Sequence, residues 1–347
     1  MDWHPHPQPD RAPSTVRHPN GLTQRWVGPD DEAPWMALFA RCFAWSMPRA
    51  QWLWKYRDAA GQFGLGLFRD EKLLAFYGGM PRRLEAEGKA WAGIQIGDVM
   101  VDPAIRGGLS RGGAFKAIAA SFLAQTLGPA GPFDLGFGFP NHRAMRLAVK
   151  LGLYREVDQV VELSWPNADG ARTQAKAPGW PRWRRRCEPA NPQELLARAD
   201  AIWAAMPKAF DRSILGRRDS AFLRARYLLH PTHRYDWFAL RSPLSAQVQG
   251  IAVCRKTDAR QLEILDLIAH PEHFPRIAEE ILRFALGDSL ESVFMWASRS
   301  HVHLFNDSRP TIRSIDVAVP TCNLLPGRFP SRPDGRWWLT GGDTDFR

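Results

Sequence analysis

The sequence predicts an α+β chain of two modules in tandem, each a mixed, mostly antiparallel central sheet flanked by helices. Three observations lead to this fold class. Periodicities follow one another as strand, two helices, an antiparallel meander, helix, strand, helix and strand, and a second pass of similar order then begins. A stretch rich in Pro, Gly, Ala and Arg at residues 166–192 interrupts the periodicity between the passes. Two landmarks recur in the same order and nearly the same register. Trp52-Leu53-Trp54-Lys55-Tyr56 has a counterpart in Leu223-Arg224-Ala225-Arg226-Tyr227, and Ile96-Gly97-Asp98-Val99-Met100-Val101-Asp102-Pro103 aligns without gaps on Ile264-Leu265-Asp266-Leu267-Ile268-Ala269-His270-Pro271.

In chain order, residues 22–27 form a short strand, after which Asp30 and Asp31 stand where they could cap a helix that carries Trp35, Leu38, Phe39, Cys42 and Phe43 at helical spacing. A second helix covers residues 49–57. Strands at 64–68 and 72–77 flank the Arg69-Asp70-Glu71 turn, and strands at 81–87 and 90–101 flank Gly88. Pro103 ends this meander. A glycine-rich loop at 106–113 leads into a helix at 114–127 with Phe115, Ile118, Phe122 and Leu123 on one face, followed by an apolar run at 133–139, a helix to residue 151 and a strand at 156–165. The second module repeats a strand at 263–269 and a helix at 274–286. The expected organisation is a disordered tail at 1–20, an N-terminal module at 21–165, a linker at 166–192 and a C-terminal module at 193–347.

With 347 residues, 45% of them hydrophobic, the chain is long and apolar enough for two cores. No apolar run approaches the roughly 18–20 residues that span a bilayer, and the first twenty residues carry Pro and His instead of an apolar leader, so the expectation is a cytoplasmic protein without membrane association. Cys42, Cys187, Cys254 and Cys322 are scattered without metal-ligand spacing and read as reduced packing residues. The net charge of +10 points to an anionic partner: a nucleic acid, an acidic surface or a phosphate-bearing cofactor. The densest basic run, Arg182-Trp183-Arg184-Arg185-Arg186, lies in the linker and reads as a solvated segment in preference to a nucleic-acid contact.

The chemistry concentrates after the strand that ends at Asp102-Pro103. Where a strand feeds a glycine-rich turn and then a helix, the amide groups of the first helical turn and their dipoles favour an anion such as a pyrophosphate. Arg106-Gly107-Gly108-Leu109-Ser110-Arg111-Gly112-Gly113-Ala114 has this form: the glycines permit close approach of phosphate oxygens, and the arginines add charged donors.

On this loop, on Val99-Met100-Val101-Asp102-Pro103 before it, and on Gly138-Phe139-Pro140-Asn141 with Ala144, Leu147 and Lys150-Leu151-Gly152-Leu153 after it, the first module resembles the GNAT family of acyl-CoA-dependent acyltransferases. The resemblance covers residues 22–165 and, more weakly, 191–347. It implies acetyl-CoA or another acyl-CoA as co-substrate, held by Arg106, Gly107, Gly108, Ser110, Arg111, Gly112, Gly113 and Ala114, with Asn141 beyond it and the thioester carbonyl near Val99, Met100 and Val101 of a splayed strand. The loop is longer than the family's spacing. Ala148 stands where many members have the Tyr that protonates the departing thiolate, and Tyr154 lies nearby in sequence.

For the base that takes a proton from the acceptor amine, Asp98 is the first choice and His142 the second. Strand alternation puts Asp98, Met100 and Asp102 on one face, and a partly buried carboxylate can be a proton acceptor; His142 follows Asn141 directly. Each has a structural alternative, an Asp bonded to backbone amides and a His at a helix cap. The second module has Pro271-Glu272-His273-Phe274-Pro275 where a glycine loop would stand, a poor anion cradle. His301 and His303, with Asp307 nearby, invite a metal reading, but the sequence places no further ligand beside the histidine pair, so no metal is expected. Asp343 and Asp345 near the end read as surface residues. The leading reading is an N-acyltransferase whose acceptor, a small-molecule or peptide amine, binds between the modules; a catalytically silent binding protein and an aminoacyl-tRNA-dependent transferase are the alternatives.

Overall fold

The computed structural model describes residues 15–18, 21–56, 64–105, 114–127, 131–166, 186–243, 245–322 and 328–344. The chain forms two compact units that interleave along the sequence: the first takes Met1–Leu84, Ala90–Val157 and Ala318–Pro333, the second Glu85–Lys89, Asp158–Val317 and Asp334–Arg347. Most of the expected linker, residues 167–185, lies outside the described residues.

In the first unit, β1 (Val16–Arg17), β2 (Thr23–Val27), β3 (Gly64–Arg69), β4 (Lys72–Ala86), β5 (Lys89–Val101) and β6 (Leu135–Gly138) lie side by side in that order. Pairing is antiparallel from β1 to β4 and parallel between β5 and β6. Two expectations change here. Val16 and Arg17, expected in a disordered tail, pair with Gln24 and Thr23. Residues 72–77 and 81–87, expected as two strands, are one, because Gly78-Gly79 marks a close approach and not a turn: a Cβ on Gly79 would sit 2.8 Å from the Gln95 carbonyl oxygen.

The sheet's period-2 alternation feeds two cores. Val27, Phe68, Phe76 and Met100 pack with α1 (Glu32–Phe43) and α2 (Arg49–Tyr56), while Trp26, Leu67, Tyr77 and Ile94 pack with α3 (Ala114–Thr126). Trp35 on α1 is fully buried against Phe39, Trp52, Tyr56 and Phe76, and each such ring contributes about 2–3 kcal/mol by burial. The capping expectation fails in detail. Asp31 occupies the N-cap position of α1, but its carboxylate turns to Arg25 (2.6 and 2.8 Å) and accepts from the Gly28 amide, so the helix start is set by the short 3-10 turn Pro29–Asp31. Ala44, at φ 54°, ends α1. The unit is completed by α4 (His142–Lys150), the start of β7 (Tyr154–Pro166) and a late return of the chain: the Ala318 amide donates to Pro140 O, and Arg328 pairs with Asp134 at 2.7 Å.

In the second unit, β8 (Arg186–Pro189), α5 (Pro192–Ala205), β9 (Ile214–Gly216), α6 (Ser220–Leu223), β10 (Asp236–Arg241), β11 (Val248–Lys256), β12 (Gln261–Ala269), α7 (Phe274–Gly287), β13 (Ser292–Ser298), β14 (Thr311–Cys322) and β15 (Trp337–Trp338) follow. The main sheet has the order β14-β7-β13-β12-β11-β10-β8, with β12–β13 parallel and β7–β13, β12–β11, β11–β10 and β10–β8 antiparallel. The recurring landmark Leu223–Tyr227 lies where α6 is continued by a π-helical turn, Arg224–Leu228. Phe274, Ile277, Ala278, Ile281 and Ala285 of α7 face the core, while Arg276, Glu279, Glu280 and Arg283 pair along its outer side. Before α7, Pro271–His273 forms a 3-10 turn capped by the His270 ring. All four cysteines are free thiols. No described helix is long and apolar enough to cross a membrane.

Candidate active site

The parallel ladder between β5 and β6 runs from Gly93–Leu135 to Ile96–Gly138 and stops. Pro140, which has no amide hydrogen, follows immediately, and the chain turns into α4. Gly138 keeps the last pair close, since a Cβ there would lie 2.9 Å from the Ile96 carbonyl oxygen. Beyond this pair β5 continues as Gly97–Val101 without β6, which ends at Gly138 as the chain leaves for α4; this parting of the chain from β5 is the fork.

Asp98, two residues past the last pair, adopts φ 50°. Nine non-glycine residues among those described have positive φ, and Asp98 is the one inside a strand. A left-handed residue within a strand is the geometry of a bulge. Its carboxylate is held from α2: Lys55 Nζ is 2.6 Å from Oδ2, with side chains 3% and 8% exposed, and the Tyr56 hydroxyl donates to the same oxygen at 2.5 Å. The expected alternation holds, because Asp98, Met100 and Asp102 are buried while Val99 is 40% exposed and Val101 partly buried, its carbonyl accepting from the Cys42 thiol at 3.3 Å. Asp102 pairs with Arg41 (2.9 Å) and Lys72 (3.6 Å) and accepts from the Ala104 amide. Burial pushes its carboxyl up, and the amide with the two cations outweighs that, leaving it below the ordinary range.

At the start of α4, Asn141 Oδ1 accepts from the Ala144 amide at 2.8 Å, so the Asn is the N-cap of α4 and His142 its half-exposed first residue. Ala148 packs against the core on the α3 side. Tyr154 is paired hydroxyl to hydroxyl with Tyr77, whose phenol is pushed well up by burial and by Cys322 nearby. The backbone of Ala114 begins α3; Arg106, Gly107, Gly108, Ser110, Arg111, Gly112 and Gly113 lie outside the described residues. Sequence reasoning placed Lys55 and Tyr56 in a recurring landmark but missed their pairing with Asp98. The available signal was a lysine beside Tyr56 on the face of α2 that Trp52 and Tyr56 bury, where a charge needs a partner.

The second unit contains the corresponding pair. Its parallel ladder ends at Ile264–Met295, the register with β11 skips Leu265, and the Tyr227 hydroxyl donates to Asp266 Oδ2 at 2.8 Å. The surroundings differ. Arg218, fully buried, bridges Asp266 Oδ1 (2.5 Å) and Asp343 Oδ2 (2.5 Å), and Thr340 Oγ1 donates to Asp266 at 3.2 Å. Arg226, in the position of Lys55, donates to the carbonyls of Gly342 (3.1 Å) and Thr344 (3.0 Å). A Cβ on Gly342 would land on the Tyr227 hydroxyl and Asp266 Oδ2, so the C-terminal turn Gly341–Asp343 rests directly on the Tyr–Asp pair. Asp343, expected on the surface, is therefore 6% exposed; burial raises its pKa against the pull of Arg218. Burial and then Asp266 push Tyr227 well up.

Both ring nitrogens of His301 face hydroxyls, of Ser213 (2.9 Å) and Ser300 (2.8 Å). Among the described residues no group of three His, Cys, Asp or Glu could hold a metal.

Residues 24–129 match the family model of an acetyltransferase (GNAT) domain. No curated protein matches the chain in sequence. Among solved structures, a conserved Enterococcus faecalis protein of unknown function, described as a probable N-acyltransferase, is similar with a TM-score of 0.65 at 15% identity, over 88% of this chain and 73% of that one. A GCN5-related N-acetyltransferase from Kribbella flavida gives 0.56 at 16% identity, over 87% and 70%. Saccharomyces cerevisiae N-myristoyltransferase, solved with myristoyl-CoA, gives 0.53 at 8% identity, over 93% and 86%. At such identities the likeness is one of fold, and it is the fold class read from the sequence: two mixed, largely antiparallel sheets flanked by helices.

Proposed function

We propose that this chain, residues 24–129 of which match the family model of a GNAT acetyltransferase domain, is an acyl-CoA-dependent N-acyltransferase whose acceptor is the amine of a small molecule or peptide, with acetyl-CoA as the simplest donor. The observation that carries this reading is the fork where β5 and β6 part after the Ile96–Gly138 pair. The arrangement fits an extended thioester arm: past the last pair β5 is strand backbone without β6 beside it, carrying the exposed apolar Val99, and the helix beyond the glycine-rich segment begins at Ala114. Bound there, acyl-CoA supplies the electrophilic carbonyl and the thiolate leaving group.

The chain's own part is positioning. The backbone of Val99, Met100 and Val101 fixes the carbonyl, the segment from Arg106 to Gly113 takes the phosphates, and Asn141 sets the direction of α4 on the far side. Such aminolysis gains most from alignment, and an amine that arrives neutral loses its proton after attack, to solvent or to a nearby base. We assign that base to His142, which is accessible at the head of α4, in preference to Asp98, whose carboxylate already holds an ammonium and a phenol.

The test is calorimetric titration of acetyl-CoA into the wild-type protein and into Gly112→Leu/Gly113→Leu. The expected loss in affinity is at least about tenfold, the effect of filling a phosphate cradle. Unchanged affinity, or no binding by the wild type, would overturn the assignment.

A further inference from the structure

We propose that Lys55 and Tyr56 are positioning residues that act through Asp98 to hold open the fork in which the acyl-CoA arm lies; the proposal rests on the function argued above. Three observations carry it. Asp98 has a left-handed backbone inside a strand, a strained conformation for a residue with a Cβ that persists only when something fixes it. What fixes it here is a buried clamp on one carboxylate oxygen, from Lys55 at 2.6 Å and Tyr56 at 2.5 Å, both on α2 and neighbours in sequence. The clamped residue is the second beyond the Ile96–Gly138 pair, the place where β5 must leave β6.

The second unit supplies an internal control. Tyr227 and Asp266 make the same contact two residues past the Ile264–Met295 pair, so the Tyr–Asp clamp accompanies the parting of the parallel strands in both. There the cation on the carboxylate is Arg218, and the C-terminal turn covers the clamp. Loss of the hydroxyl therefore removes the same kind of buried bond in the two units, yet only in the first does a binding fork depend on it.

A specific pattern of loss follows. In the function proposed above the nucleotide end of CoA is held away from β5, and the clamp governs the strand along which the pantetheine arm would lie. Relaxing it weakens CoA and spares the nucleotide.

The experiment titrates CoA and its nucleotide portion alone, 3′-phospho-ADP, into wild type, Tyr56→Phe, Lys55→Met and Tyr227→Phe, with circular dichroism and thermal melting on each. Tyr56→Phe and Lys55→Met are expected to weaken CoA about tenfold, as loss of a bond to a charged group does, and to leave 3′-phospho-ADP within about twofold. Tyr227→Phe is expected to lower the melting temperature as Tyr56→Phe does and to leave both ligands unchanged. CoA bound as tightly by Tyr56→Phe as by wild type, equal losses for CoA and 3′-phospho-ADP, or a matching CoA loss in Tyr227→Phe would each overturn the proposal. A wild type that binds 3′-phospho-ADP but not CoA overturns it too, while one that binds neither rejects the acyl-CoA reading itself.

Discussion

The first unit holds Asp98 with a lysine and a tyrosine from one helix, and the second holds Asp266 with a tyrosine from the equivalent turn and an arginine from elsewhere. The difference lies in what the residue before the tyrosine does. Lys55 closes onto its aspartate; Arg226 instead binds the carbonyls of Gly342 and Thr344, and Arg218 takes over the carboxylate. One device thus serves two ends. In the first unit it shapes a strand beside a fork, and in the second it anchors the chain's last described residues.

The comparison can be broken most forcefully at Arg218. Arg218→Met leaves Asp266 and Asp343 buried without their shared cation, and the expected loss is about 3–5 kcal/mol, read as a lower urea midpoint for the second unit. Binding of CoA, where the protein stays folded, should be unaffected; a stability change below about 1 kcal/mol would show that water or rearrangement compensates the two carboxylates.

Acid should separate the units next. His230, His233 and His301, each with its pKa lowered first by burial, all belong to the second unit. His301 is pushed down to about 4 from 6.5, by burial and then by His303. The unfolded chain takes up that proton near pH 6.5 and the folded state resists it until about pH 4. Stability is therefore full above 6.5 and falls as the pH drops through that window, by about 3 kcal/mol in total. His301→Gln should flatten this slope in urea titrations between pH 7 and 4.5; an unchanged slope would place the sensitivity elsewhere.

The mildest of the three is Gly342→Ala. The added methyl meets the Tyr227 hydroxyl and Asp266, so the C-terminal turn must lift, at a cost of about 1–3 kcal/mol seen by thermal melting. Were the variant as stable as wild type, the turn would not be seated on the clamp.

Much of this was legible in the sequence because it is local. The period-2 and helical patterns place β5, α3 and α7, and the recurrence of Tyr56 and Asp98 as Tyr227 and Asp266 marks two residues that meet in each unit. What escaped depends on partners far apart in the chain. Nothing near Asp343 announces Arg218, 125 residues away, and an aspartate after two glycines reads as surface until that cation is found. Lys55 looked like an ordinary helix lysine, because its partner is set by the bulge at Asp98 and not by spacing on α2. The strand Lys72–Ala86 is split at 77 and 81 in the sequence reading for a similar reason, since the close packing of Gly79 on Gln95 is set by a partner strand and not by local pattern.

The return of Ala318–Pro333 to the first unit bears on the order of synthesis. A ribosome releases the β1–β6 region long before it reaches the residues that meet Pro140 and Asp134. During that interval the nascent first unit lacks its final piece, while nearly all of the second passes through the exit tunnel. Neither half can be expressed by cutting at the middle of the chain without losing part of itself, and a stalled or truncated product would leave the unit that carries the fork unfinished.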